Sequence, residues 1–259
     1  MARKTPRRRF LGEGGLLLAA AGFEETLAPA GQPAEQANPQ RRLKIVCVGA
    51  HPDDPESGCG GTLARYAEAG HTVTAIYLTR GEGGIAGRTP AEAARVRTAE
   101  AEAACKILGA RPVFAGQIDG ATEINQERAQ AMARLLASEA PDVVFTHWPL
   151  DTHPDHQAAA LLTLRSYLSA SHRFALYFFE VNAGYQTLGF VPTVYVDISG
   201  VREKKKEALF AHRSQNGENI FNRHHDIMER FRGREIGVAA AEAFATLARD
   251  NRTGRLPGL

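Results

Sequence analysis

Two apolar runs that each lead into a His-Pro-Asp cluster constrain this chain more than any other feature. Leu43-Lys-Ile-Val-Cys-Val-Gly-Ala50 is short, almost continuously apolar and ends in a turn, as expected for a strand buried on both faces. Asp142 to Thr146 has the same character. The first run passes directly into Ala50-His-Pro-Asp-Asp-Pro-Glu-Ser-Gly-Cys-Gly-Gly61, and the second is followed by Asp151-Thr-His-Pro-Asp-His156. Between and beyond them, strand and helix signals alternate. Thr62 to Ala69 reads as a helix closed by Gly70, Thr72 to Thr79 as a strand, and Pro90 to Leu108 as a helix ending at Gly109. Pro112 to Ala115 reads as a strand, and Gln126 to Glu139 and Pro154 to Ser169 as helices. This alternation predicts an α/β fold with a Rossmann-like, mostly parallel sheet and helices on both faces. The strands Phe174 to Val181 and Thr193 to Ile198 and a helix from Val201 to His212 belong to a less regular C-terminal part.

In such sheets ligands bind beyond the carboxyl ends of the strands, where both His-Pro-Asp clusters fall. A dinucleotide is disfavoured, because the first strand ends in His-Pro-Asp-Asp rather than in a glycine-rich turn. A catalytic zinc takes about three His or carboxylate ligands and keeps one position open for water. His51 and Asp54, at i and i+3 in a tight turn, can converge on one ion, and His156 can complete the set. Asp53 is then a spare carboxylate beside the metal-bound water, the arrangement a general base requires. One His-x-x-Asp is weak evidence. Two such clusters, ending different strands of one sheet, are much harder to explain as structural coincidence.

The pair His-Pro-Asp-Asp-x-Glu and His-Pro-Asp-His resembles the PIG-L (LmbE-like) family of zinc-dependent N-acetylglucosaminyl de-N-acetylases. The likeness runs from about Leu43 to Phe244 and includes Gly58-Cys-Gly-Gly61, Leu78-Thr-Arg-Gly-Glu82, Arg97 with Glu100, and His212-Arg-Ser-Gln215. It implies a hydrolase that removes an N-acetyl or other acyl group from an amino sugar or related glycoconjugate. It also implies one Zn2+ per chain, or another divalent metal, on His51, Asp54 and His156, with Asp53 as general base. His153 is implied as a non-ligand that stabilises the oxyanion as an imidazolium, oriented by the carboxylate of Asp155.

The residues alone leave two further readings open: a two-metal phosphoesterase and a non-catalytic sugar-binding module. Metal stoichiometry separates the first, and acetate release the second. Arg80, at the end of the second strand, is expected either to bind a substrate hydroxyl or carboxylate or to form a salt bridge with Glu82 or another acid. Glu56 is expected behind the ligands or at a helix start. His147, Trp148 and Asp151 either line the pocket or shape their loop. His71, His172, His224 and His225 read as surface or loop histidines.

At 259 residues the chain is long enough for one catalytic domain, expected over residues 42–259. A formal net charge of +2 argues against a nucleic-acid partner, and without residues 1–30 the remainder is neutral. The basic run within Val201-Arg-Glu-Lys-Lys-Lys-Glu207 alternates with acids and reads as a solvated helix face. Three cysteines without paired spacing read as small buried hydrophobes, not a disulfide framework. Residues 1–30 join Arg7-Arg-Arg-Phe-Leu11, the apolar stretch Gly14 to Gly22 and Ala28-Pro-Ala30, resembling a twin-arginine export signal. The polar segment 31–41 reads as a linker. A periplasmic or extracellular location is therefore expected, with a cytoplasmic one as the alternative. The apolar stretch is too short for a stable membrane anchor. Neither the particular substrate nor the oligomeric state has a sequence signal.

Overall fold

The computed structural model describes residues 41–182, 185–247 and 256–259, so the export signal, and all of the linker except Arg41, lie outside the described residues. Seven strands form one sheet in the order β3-β2-β1-β4-β5-β7-β6. They are β1 (Lys44–Gly49), β2 (Thr72–Tyr77), β3 (Arg111–Phe114), β4 (Val143–His147), β5 (Ala175–Phe179), β6 (Val194–Asp197) and β7 (Ala241–Thr246). The first five run parallel, while β7 is antiparallel to both β5 and β6.

Both faces of β1 are buried, as its composition requires. Ile45 and Cys47 pack with Leu63, Phe145, Phe179 and Phe244 on one side of the sheet. Val46 and Val48 pack with Val144, Leu176, Met132 and Leu162 on the other. The helices α1 (Asp54–Glu68), α2 (Pro90–Leu108), α3 (Gln126–Glu139) and α4 (Pro154–Ser169) provide the crossovers. Chain growth proceeds from β1 to β2 and β3 in one direction, then resumes at β4 and β5 on the opposite side of β1. The crevice between the carboxyl ends of β1 and β4 is therefore the switch point of the sheet.

Helix α1 begins at Asp54 rather than at Thr62, because its glycines are packing positions and not loop residues. A Cβ on Gly58 would lie 2.2 Å from the Phe179 ring, and one on Gly61 would lie 2.7 Å from Ile198. The C-terminal part is more regular than expected: after α5 (Arg202–Phe210) come the short α6 (Gly217–Ile220), a π-turn (Phe221–His225), α7 (Asp226–Ile236) and β7.

The basic run is not wholly a solvated face. Lys205 is completely buried, with its Nζ 2.7 Å from Glu242 and 2.9 Å from Glu229. Two histidines read as surface residues are also buried: His71, whose Nδ1 accepts the Leu43 N–H, and His225 on the π-turn. Cys47, Cys59 and Cys105 are buried free thiols. Among the described residues no helix is long and apolar enough to cross a membrane.

Candidate active site

The turn that leaves β1 is tight and strained. Pro55, in the first turn of α1, folds back over Gly49, where a Cβ would come within 2.6 Å of its ring. Asp53 is forced to φ 122°, a region that costs a non-glycine residue about 1–3 kcal/mol and is tolerated where surrounding contacts enforce it. Arg97 of α2 supplies such contacts: its Nη2 donates to the Pro52 carbonyl at 2.6 Å and lies 3.4 Å from Asp53 Oδ1. The Ser57 N–H donates to the Asp53 carbonyl at 2.9 Å.

Asp54 stands between two imidazoles, one from the turn after β1 and one from the first turn of α4. Its Oδ2 lies 3.3 Å from His51 Nδ1, and its Oδ1 lies 3.3 Å from His156 Nε2. The remaining nitrogen of each ring faces a carboxylate. His51 Nε2 is 3.0 Å from Asp155 and 3.2 Å from Asp119, and His156 Nδ1 is 3.2 Å from Asp151. Each distal ring nitrogen thus faces a carboxylate oxygen, and among the described residues the side chains close enough together to share a cation are His51 with His153 and His156, Asp54 with His147 and His156, and His51 with Asp119 and Asp155. Burial works against charge on Asp54, but His156 and His147 outweigh it and hold the carboxyl well below its usual range. Burial would lower His156, yet Asp54 and Asp151 raise it to about 9. His51 is raised as well, because Asp119, Asp155 and Asp54 overcome its burial.

His147 also approaches Asp54, at 3.2 Å, and is stacked on His156 with ring centroids 4.0 Å apart. Its Nε2 accepts the Ala50 N–H, and the ring is fully buried and pushed down to about 4 by desolvation and by His156. It is a neutral support under His156, outside the pocket lining.

A pocket of about 480 Å³ opens over this centre. His51, Asp53, Asp54, His153 and His156 form its floor, and Arg97, Asp119, Gln186, Gln215 and Ile220 contribute to its walls. Burial pushes the Asp53 carboxyl up to about 6; Arg97 opposes this and Asp54 reinforces it.

Two expected roles are not met by the geometry. Asp155 does not aim its carboxylate at His153: besides His51, the carboxylate accepts the Gly120 N–H and the Thr122 hydroxyl, and only the Asp155 backbone N–H reaches His153 Nδ1, at 3.2 Å. Burial and the neighbouring His51 and His156 hold His153 below its ordinary value, with Asp155 opposing them. Arg80 is not in the pocket lining. Its guanidinium stacks 4.1 Å from the Phe114 ring centroid and donates to Thr98, leaving only its backbone N–H to meet Glu82. Arg97, two turns into α2, takes the place by the pocket.

Asp119 had no motif to announce it. Its signal is positional, since Gln117 to Gly120 follows the carboxyl end of β3. Gln215 sits at the end of His212-Arg-Ser-Gln215, where its Nε2 donates to the Gly84 carbonyl and the preceding Ser214 is held by Glu100.

Comparison with known proteins agrees with this arrangement. A family model described as GlcNAc-PI de-N-acetylase, PIG-L, matches residues 46–167, which contain both His-Pro-Asp clusters. The chain is 30% identical over 196 residues to a diacetylchitobiose deacetylase of Thermococcus kodakarensis, covering 69% of this chain and 72% of that relative. Among solved structures it resembles a conserved protein of Thermus thermophilus, with a TM-score of 0.68 and 32% identity over 79% of this chain and 94% of that one. It also resembles the N,N'-diacetylchitobiose deacetylase of Pyrococcus horikoshii, with a TM-score of 0.69 and 25% identity over 79% of this chain and 84% of that one. With the motifs, the sheet order and these relatives in agreement, the chain belongs to the PIG-L (LmbE-like) family of de-N-acetylases, hydrolases of amide C–N bonds.

Proposed function

We propose that this protein is a zinc-dependent deacetylase that releases acetate from an N-acetylglucosamine-type amino sugar or glycoconjugate, with one ion held by His51, Asp54 and His156. The observation that carries the reading is the Asp54 carboxylate shared between His51 and His156 with Asp53 beside it in one pocket. When bound, the cation lowers the pKa of a water in the pocket and polarises the acyl carbonyl. Asp53 takes the attacking water's proton, and a carboxyl near 6 suits a base working around neutral pH. His153 accepts the Asp155 N–H at Nδ1, so its neutral ring carries a proton on Nε2 and donates it as a hydrogen bond to the developing oxyanion. A neutral imidazole is a poor acid. Asp53 therefore returns its proton to the departing amine.

The test is metal analysis coupled to acetate release from N-acetylated sugars. Asp53→Asn should retain one zinc per chain and lose most turnover, whereas His51→Ala and Asp54→Ala should lose both. Full turnover by Asp53→Asn, or two ions per chain with phosphoesterase activity, defeats the proposal.

Export is a separate proposal, resting on Arg7, Arg8 and the apolar stretch that follows them, with residues 42–259 as the single catalytic domain. Fractionation of cells carrying Arg7→Lys/Arg8→Lys tests it. Unchanged distribution of the protein would remove the twin-arginine assignment.

A further inference from the structure

His156 is gripped from two sides of a small clasp. On one side is Asp151, in the connection between β4 and α4, with a carboxylate almost completely buried. Its Oδ1 accepts the His153 N–H at 2.8 Å, and its Oδ2, otherwise without a hydrogen-bond partner, lies 3.2 Å from His156 Nδ1. On the other side Gln186 closes over the ring, its Nε2 lying 3.1 Å from the same nitrogen as a packing neighbour and not as a hydrogen-bond partner, since that nitrogen's proton faces Asp151. The two sides are joined through the backbone. Asp151 pairs antiparallel with Thr187, Thr152 N–H donates to the Gln186 carbonyl at 3.1 Å, and Leu188 N–H donates to the Leu150 carbonyl at 2.8 Å.

The second side of the clasp is also a wall of the substrate pocket, which Val181, Asn182 and Gln186 line. Thr187 ties this wall to itself: its hydroxyl accepts the Val181 N–H at 3.0 Å and donates to the Val181 carbonyl at 2.8 Å. A single imidazole thus touches Asp54 with one nitrogen and the clasp with the other. Whatever fixes that ring fixes the clasp.

We propose that Asp151 is a positioning residue that joins His156 to the pocket wall carrying Val181, Gln186 and Thr187, so that cation binding and ordering of this wall are one coupled equilibrium. The inference rests on the reading of His156 as a metal ligand. It makes the wall an effector of the metal and the metal an effector of the wall, and such coupling is reciprocal by thermodynamic necessity.

Hydrogen exchange of the full chain, with and without zinc, measures the wall directly, and equilibrium dialysis measures the metal. In the wild type, zinc should slow exchange of peptides spanning 185–190 by roughly tenfold or more, since ligand binding stabilises the state it selects. Asp151→Asn, which keeps an acceptor for His153 N–H but loses the carboxylate, should weaken zinc binding by roughly 10–100-fold. With Co2+ in place of zinc, the same variant should shift the visible ligand-field bands, which a purely structural role would leave alone. Thr187→Val is the second variant: among the described residues its side chain contacts no proposed ligand, yet by reciprocity it should weaken zinc. Equal exchange with and without zinc in the wild type overturns the proposal, as does zinc affinity within about twofold of wild type in Thr187→Val. Failure of the wild type to take up zinc overturns the metal assignment itself and is seen before any variant is made.

Discussion

Arg97 Nη2 sits 2.6 Å from the carbonyl of Pro52 and 3.4 Å from Asp53 Oδ1, so one guanidinium both holds the strained turn and faces the carboxylate it carries. Removing it should have two effects. Arg97→Met lets the turn shift and should lower kcat by roughly 100-fold, the scale of a displacement of about 1 Å in a catalytic group. It also removes the cation that lowers Asp53, so the carboxylate forms only at higher pH. The acidic limb of the kcat/KM profile should therefore move to higher pH, whatever its absolute position in the metal-loaded enzyme. A profile superimposable on the wild type would separate Arg97 from Asp53.

The φ of 122° at Asp53 is a conformation that glycine adopts freely. Asp53→Gly should raise the stability of the metal-free protein by about 1 kcal/mol while abolishing turnover. Differential scanning calorimetry alongside acetate release checks both halves. A lower melting temperature would mean that the turn is not strained in solution.

Metal binding should depend steeply on pH. His51 and His156 both bind protons more tightly than free histidine in the metal-free protein, His156 up to about 9, and a cation must displace those protons. Affinity should therefore rise with pH through neutrality, by about tenfold per unit for each proton displaced, with the His156 contribution levelling off above about 9. Calorimetry in buffers of different ionisation enthalpy counts the released protons. Zinc affinity that stays flat between pH 6 and 8 would contradict the assignment of both histidines.

The buried Lys205 balances Glu242 and Glu229 with no solvent to share the task. Lys205→Ala should destabilise the fold by about 3–5 kcal/mol, because Glu242 is left in the interior with only backbone N–H donors and Glu229 with only Arg202. Adding Glu242→Gln should recover part of that loss. Urea unfolding of the single and double variants reads this directly, and additive losses would show that the groups do not interact.

The sheet was legible because β1 and β4 are buried on both faces and carry continuous apolar runs, and because turns and caps such as Thr89 and Gly109 mark α2 clearly. The metal-ligand candidates were legible because His51 and Asp54 follow β1 directly and His156 falls in the first turn of α4, the helix that follows β4. The start of α1 was not: three glycines within four residues suggest a loop, and only the closeness of Phe179 and Ile198 makes them helical. Lys205 and Glu242 were hidden for a related reason, since their partners lie far apart in the chain. Arg80 and Arg97 illustrate the limit most clearly. Position along the chain favoured Arg80, but Phe114 offers its ring to one guanidinium and Pro52 its carbonyl to the other.

Glu242 on β7 accepts the N–H groups of Gly61 and Thr62 in the helix that starts from Asp54. The half of the molecule bearing both His-Pro-Asp clusters is thus braced by a strand encoded near residue 240. A fragment cut after α4 would keep every proposed ligand and lose the buttress behind them. Minimal versions of this enzyme cannot be made by trimming to the motifs; the last strand has to come along.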